Sequence, residues 1–227
     1  MSPGASGRRA VVVGATGLVG AELVRLLLAD PRFAAVAVLV RRAGASPAHA
    51  KLAEHAVDFD APETWAPLVR GDVLFSALGT TIRAAGSRAA QHRIDHGYQL
   101  AAARAARANG VPAYVLVSSA GASPRSRIFY SRMKGELERD VEALGLERTR
   151  ILRPGMLDGD RRERRAGEQL ALRILRPLSP LLPAAARPVH AAIVARAALA
   201  AALDPAPGVR RYEPADLFRL GGTAPRT

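Results

Sequence analysis

Tyr130 and Lys134 stand four residues apart in the stretch SSAGASPRSRIFYSRMKGELE, residues 118–138, behind the serine pair Ser118 and Ser119. On a helix, side chains four apart share a face. A cation held beside a phenol favours the phenolate, so the phenol can exchange a proton with a substrate carbonyl or alcohol. The ammonium can also donate to ribose hydroxyls, and a serine ending the preceding strand can hold the substrate oxygen. Two ordinary residues of an amphipathic helix would give the same spacing. One count favours the chemical reading: of 33 Lys and Arg, only Lys51 and Lys134 are lysine. A chain with that bias would carry arginine at position 134 if any cation sufficed.

A second constellation opens the chain. VVVGATGLVGAELV places Gly14, Gly17 and Gly20 directly after an apolar run and at the head of an amphipathic one. Gly14 suits a tight strand-to-helix turn, Gly17 a close approach of backbone to pyrophosphate, and Gly20 close packing of helix on sheet. The pyrophosphate would meet free N–H groups and the positive end of the helix dipole. About 20 residues further on, an NAD site calls for a carboxylate on the ribose 2′-hydroxyl. This chain has Arg41 and Arg42 there, which suit the 2′-phosphate of NADP(H). Asp58 could accept from the adenine amino group, and LGTT (78–81) could lie along the nicotinamide ribose at Gly79. Solvated arginines and turn-capping threonines are the plainer alternatives.

These residues need a scaffold. Apolar runs at 10–15, 34–42, 55–60, 72–79, 113–121 and 148–155 read as strands. Helical patterns separate them at 18–29, 62–69, 94–108 and 130–144, with another helix at 189–203 and a last short strand at 209–212. The alternation predicts an α/β fold, a Rossmann-type doubly wound parallel sheet. A single NAD(P)-binding domain over 1–227 is expected, with about 156–227 contributing a small C-terminal, substrate-side cap.

Composition removes other classes. There is no cysteine, hence no disulfide, thiolate metal site or thiol nucleophile. The five histidines are scattered; His92 and His96 could share a helix face, but they lack a carboxylate in register and no metal site is expected. No apolar run reaches the roughly 20 residues of a bilayer span, and MSPGASGRRA has no apolar signal stretch. A soluble, cytoplasmic protein that does not engage a membrane is the expectation. The net charge of +13 is spread along the chain, with one cluster, RRERR at 161–165. Aromatics for base stacking are scarce, so nucleic acid is an unlikely main partner, whereas anionic ligands such as a phosphorylated cofactor are expected.

Together GATGLVG, VRR, VDFD, LGTTIRAAGS, VSSAGASPRSRIFYSRMKGELE and LRPGMLDGDRRERRAGE resemble the atypical short-chain dehydrogenase/reductases, and among them the HIV Tat-interacting-protein-like oxidoreductases. The resemblance covers almost the whole chain. It implies Tyr130 as proton donor/acceptor, Lys134 as its partner and Ser119 as the serine, with Ser118 the alternative. It places Thr16, Gly17, Leu18, Arg41, Arg42, Asp58, Leu78, Gly79, Leu157 and Arg165 against NADP(H), with Val19 in the same turn as Leu18. The asparagine that often completes the set in that superfamily is not apparent after SALG, where threonines stand. The implied activity is NADPH-dependent reduction of a carbonyl in a small-molecule substrate, by a monomer or homodimer. A non-catalytic NADPH-binding protein that recognises a protein partner is the first alternative. Epimerase- or lyase-type use of the cofactor, or nucleic-acid association, comes after it.

Overall fold

A computed structural model describes residues 7–46, 48–158 and 188–222. Seven parallel strands form one sheet: β1 (Arg8–Val13), β2 (Phe33–Val40), β3 (Leu52–Ala56), β4 (Val73–Ser76), β5 (Ala113–Val117), β6 (Arg148–Leu152) and β9 (Gly208–Tyr212). Their spatial order is β3-β2-β1-β4-β5-β6-β9. The order reverses between β1 and β4, and in doubly wound sheets ligands bind at that switch point, beyond the carboxyl ends of the strands. This is the Rossmann-like α/β fold that the alternation of runs led us to expect.

The strands are apolar throughout because both faces are covered. Val11, Val12 and Val13 are wholly buried, as are Leu74, Leu116 and Ile151. On one face α1 (Leu18–Ala29) turns Val19, Leu23, Val24 and Leu27 inward and packs on α7 (Ala191–Leu203). Alanine lines nearly all of the buried surface of α7, which lets two helices approach closely. On the other face lie α5 (Gln99–Ala108) and α6 (Phe129–Glu142). Residues 189–222 also build the main body: β8 (Val189–His190) pairs with β7 (Leu157–Asp158), β9 is the sheet's seventh strand, and α8 (Pro214–Gly221) backs α7. Gly221 crosses Ile193 so closely that a Cβ would stand 2.2 Å from its carbonyl oxygen.

Two boundaries differ from the sequence reading for identifiable reasons. The third strand is Leu52–Ala56, because those residues pair with Val36–Val40. Asp58 therefore lies in the turn that follows, where its Oδ1 accepts from Asp60 N at 2.9 Å. The long helix begins earlier, as α4 (Arg88–His92), and widens over Arg93–Tyr98 into a turn of π-helix before α5. A short α2 (Pro62–Trp65) precedes β4, and α3 (Ile82–Ala85) follows it.

Candidate functional site

The glycine turn fits the crevice. Gly14 has φ +85°, and a Cβ there would stand 2.5 Å from the carbonyl carbon of Ala77 at the end of β4. Gly14 therefore lets the ends of β1 and β4 close on each other. Its carbonyl accepts from Gly17 N at 3.0 Å. A Cβ on Gly20 would sit 2.0 Å from that same carbonyl oxygen, so only glycine lets α1 start this close to the turn. The N-terminus of α1 has no side-chain cap and no acidic residue in its first turn. Exposed Thr16 and Gly17 and half-buried Leu18 border it; Val19 turns its side chain into the core. Uncapped N–H groups at a glycine-lined helix start suit a phosphate.

Arg41 and Arg42 lie exposed just past β2. Arg41 and Asp58 line one cavity of about 530 Å³, with Phe59, Asp60, Arg93 and Tyr98; Arg42 is not part of its lining. Phe59 is buried and stacks 5.4 Å from the Tyr98 ring, while the Tyr98 hydroxyl donates to Asp60 at 2.8 Å. Burial, reinforced by that carboxylate, pushes the Tyr98 phenol up from its ordinary value. Leu78 and Gly79 follow β4, with Leu78 N against Gly14, Leu157 lies in β7, and Arg165 lies outside the described residues.

The α6 pair comes together as the spacing implies. Lys134 is 2 % exposed, and its ammonium lies 6.0 Å from the Tyr130 ring centroid. Tyr130 is 39 % exposed, and its hydroxyl has no hydrogen-bond partner among the described residues. The hydroxyl is thus open to an incoming ligand.

Sequence reasoning missed what holds Lys134. Asp95, wholly buried in the π turn, places Oδ1 3.2 Å from Lys134 Nζ and accepts from Thr80 N through Oδ2 at 2.9 Å. Gln99, one turn on, donates to the Asp95 carbonyl at 2.6 Å and accepts from Ser76 Oγ at 2.8 Å. The asparagine looked for near LGTT is absent there, but a buried carboxylate from the π turn after α4 reaches the lysine and ties it to the LGTT backbone. A π turn widens a helix by one residue and often marks a functional site; here it carries Asp95. The available signal was the spacing of Asp95 and Gln99, one helical turn apart just ahead of the alanine-rich 101–106.

The serine pair divides. Ser118 is 5 % exposed and donates to Glu138 at 2.5 Å. Glu138 is buried one turn beyond Lys134 and takes two contacts from Arg153, at 2.5 and 3.1 Å. That pairing drives the Arg153 guanidinium above its ordinary value. Ser119 is half-buried, and among the described residues its hydroxyl makes only a 3.3 Å contact with the next carbonyl. Gly135 completes the site: a Cβ there would stand 2.2 Å from the Ser123 carbonyl carbon. The loop between the serines and Tyr130 can cross α6 only over a glycine.

His92 and His96 stack at 4.7 Å and face carboxylates of α6, Glu136 at 3.8 Å and Asp140 at 2.9 Å. Among the described residues no cluster of three or more His, Cys, Asp or Glu could hold a metal ion.

A glycine turn at the switch point of a doubly wound sheet agrees with what comparison finds: a family model described as NAD(P)H-binding matches residues 14–205. The chain belongs to this NAD(P)H-binding family. Among curated relatives it is 38% identical over 223 residues to protein fmp52, mitochondrial, of Aspergillus fumigatus, covering 93% of this chain and 94% of that one. It is 43% identical over 166 residues to protein FMP52, mitochondrial, of Coccidioides immitis, covering 68% of each chain. Among solved structures, a UDP-glucose 4-epimerase from Thermotoga maritima superposes with a TM-score of 0.68 at 15% identity, covering 94% of this chain and 81% of that one. MoeE5 in complex with UDP-glucose and NAD gives 0.67 at 18%, covering 90% and 75%. At such identities the likeness is one of fold.

These relatives correct one expectation. FMP52 proteins of several fungi are named as mitochondrial, which points away from a cytoplasmic protein. The reason is physical: mitochondrial transit peptides are amphipathic and arginine-rich, so a missing apolar signal stretch never bore on that compartment. No helix among the described residues is long and apolar enough to cross a membrane.

Proposed function

We propose that the protein is an NADPH-dependent reductase of small-molecule carbonyl compounds, akin to the Tat-interacting-protein-like oxidoreductases. The observation that carries this is an open phenol, Tyr130, on the same helix face as a buried lysine whose partner, Asp95, also holds the backbone of LGTT. The residues present fit a dinucleotide. The Gly14–Gly20 turn and uncapped α1 would take the pyrophosphate, and the cavity of Arg41, Asp58 and Phe59 the adenosine end. Arg41 and Arg42 favour a 2′-phosphate, and hence NADP(H). Leu78, Gly79, Leu157 and Arg165 would border the cofactor further along.

Bound there, the reduced nicotinamide supplies a hydride. Ser119 donates a hydrogen bond to the substrate carbonyl oxygen, and Tyr130 gives that oxygen its proton. Lys134 holds ribose hydroxyls and keeps a positive charge behind the phenol. Ser118 is not the acting serine, because its hydroxyl is committed to Glu138. Parts of 156–227 form the substrate-side cap of a single domain.

A second reading is favoured by one observation. Asp95 neutralises Lys134 at short range, which weakens the field that the ammonium exerts on Tyr130. Lys134 would then serve ribose binding alone, in a non-catalytic NADPH-binding protein with a protein partner.

Titration of the protein and of Arg41→Ala with NADPH and NADH tests the cofactor assignment. NADPH should bind the parent chain at least about tenfold more tightly, since a charge-assisted contact is worth roughly 1.5–3 kcal/mol. Arg41→Ala should lose most of that preference. Equal affinity of the parent chain for both cofactors overturns it.

A further inference from the structure

The segments that follow β4 and β5 are basic as far as Asp95 and Glu136. Residues 77–94 and 118–135 contain Arg83, Arg88, Arg93, Arg125, Arg127, Arg132 and Lys134, and no Asp or Glu. Three of these cations are engaged: Lys134 with Asp95, Arg93 with Asp60 at 3.6 Å, and Arg132 with Glu136 at 3.9 Å. Arg83, Arg88, Arg125 and Arg127 are exposed and have no carboxylate partner among the described residues. The cavity beside Arg41 differs in that two carboxylates, Asp58 and Asp60, line it as well. The four unpaired arginines stand on the segments that carry Thr80 and Tyr130.

Exposed apolar side chains stand on the segments after β4, β5 and β6. Ile82 is 44 % exposed, Ile128 67 % and Met156 56 %, following β4, β5 and β6 respectively. Arg88 joins the two kinds of surface: its guanidinium lies over the Phe129 ring, 5.6 Å from the centroid, and Phe129 precedes Tyr130. That contact holds a cation beside the start of α6, next to the residue proposed to act on the carbonyl. Arg132 Nη1 in turn braces the loop carrying Arg127, through the Ser126 carbonyl at 3.1 Å.

We infer that the substrate is an amphiphile whose apolar body meets Ile82, Ile128 and Met156 and whose anionic group, carboxylate or phosphate, is taken by Arg88 and Arg127. The inference rests on the reductase reading for its carbonyl, but the anion preference is a binding property of its own. Guanidinium suits either anion, because its fork matches both in bidentate fashion. Exposed cations on the segments after two adjacent strands also raise the local concentration of an anionic ligand, an effect that added salt screens within about 8 Å at physiological ionic strength.

Two measurements separate this inference from the reading beneath it. Calorimetric titration of the NADPH-saturated protein with octanoate, octyl phosphate and octanol reads binding alone. At least one anion should bind roughly ten- to a hundredfold more tightly than octanol. The advantage should shrink at high salt, and should be lost in Arg88→Gln/Arg127→Gln with NADPH affinity unchanged. The tighter of the two anions identifies the head group. Turnover of octanone against oxo-octanoate, its terminal-carboxylate counterpart, reads the chemistry. Tight anion binding without reduction of oxo-octanoate keeps the inference and removes the reductase reading. Reduction of octanone as efficient as that of oxo-octanoate does the reverse. Octanol binding as well as both anions, or an anion preference that survives Arg88→Gln/Arg127→Gln, overturns the inference.

Discussion

Lys134 Nζ lies 3.2 Å from Asp95 Oδ1, with both side chains at most 2 % exposed. Breaking a buried pair leaves one charge without compensation, at roughly 3–5 kcal/mol, whereas replacing both partners by apolar groups can be nearly neutral. Asp95→Ala should therefore lower the denaturation midpoint strongly, and Asp95→Ala/Lys134→Met should recover most of the loss. Denaturant unfolding of the two single variants and the double variant gives the coupling. Additive losses would mean that the two groups do not share a closed site.

The serines offer a contrast between stability and turnover. Ser118→Ala strips a buried donor from Glu138 and should cost about 1–3 kcal/mol. Ser119→Ala loses no such partner, so its unfolding free energy should stay within about 0.5 kcal/mol of the parent while carbonyl turnover falls. Thermal unfolding and steady-state kinetics on both variants check this; the opposite pattern would exchange their roles.

Gly135→Ala places a methyl where the chain of Ser123 and Pro124 already passes. The loop must lift, at an expected cost of about 1–3 kcal/mol. Proteolysis between Ser119 and Ile128 should accelerate in the variant, while NADPH affinity changes little. Unchanged cleavage and stability would show that the crossing is loose.

Acid should unfold the protein through particular carboxylates. Arg32 holds Asp30 below the ordinary carboxylate value through its side-chain hydrogen bond. The Ala206 N–H does the same for Asp204. For Asp140, partial burial pulls upward, but Arg139 and His96 outweigh it. A carboxyl group depressed in the folded state contributes stability that is fully present above its unfolded value, about 3.9, and is lost as pH falls through the folded value. Stability should hold down to about pH 5 and then decline, and Asp140→Asn should decline less steeply. Denaturant midpoints between about pH 6 and 2.5 measure it.

The parallel sheet was legible because both faces of every central strand are covered, which leaves runs such as AVVV and YVLV unbroken by polar residues. The glycine turn was legible because Gly14 and Gly20 answer contacts that a Cβ would prevent. Asp95 was not, since a single acid in a helix looks solvated until the fold brings Lys134 from α6 against it. Glu138 was hidden in the same way: it continues the stripe of Tyr130 and Lys134 at spacing four, but only the fold shows that Ser118 and Arg153 meet it inside. The end of β3 was misplaced because VDFD alternates like a strand, while Phe59 is buried by Trp65 and Tyr98 rather than by a strand neighbour.

The central claim is that Tyr130 donates a proton to a carbonyl oxygen while NADPH is consumed. Its most direct test is single-turnover oxidation of NADPH, with a panel of carbonyl compounds, by the parent chain and by Tyr130→Phe, after NADPH binding has been measured for both. The account expects equal NADPH affinity and a rate lower by at least about a hundredfold in Tyr130→Phe, within the range attributed to general acid catalysis. Equal oxidation rates in both proteins, or no oxidation by either despite tight NADPH binding, would contradict it.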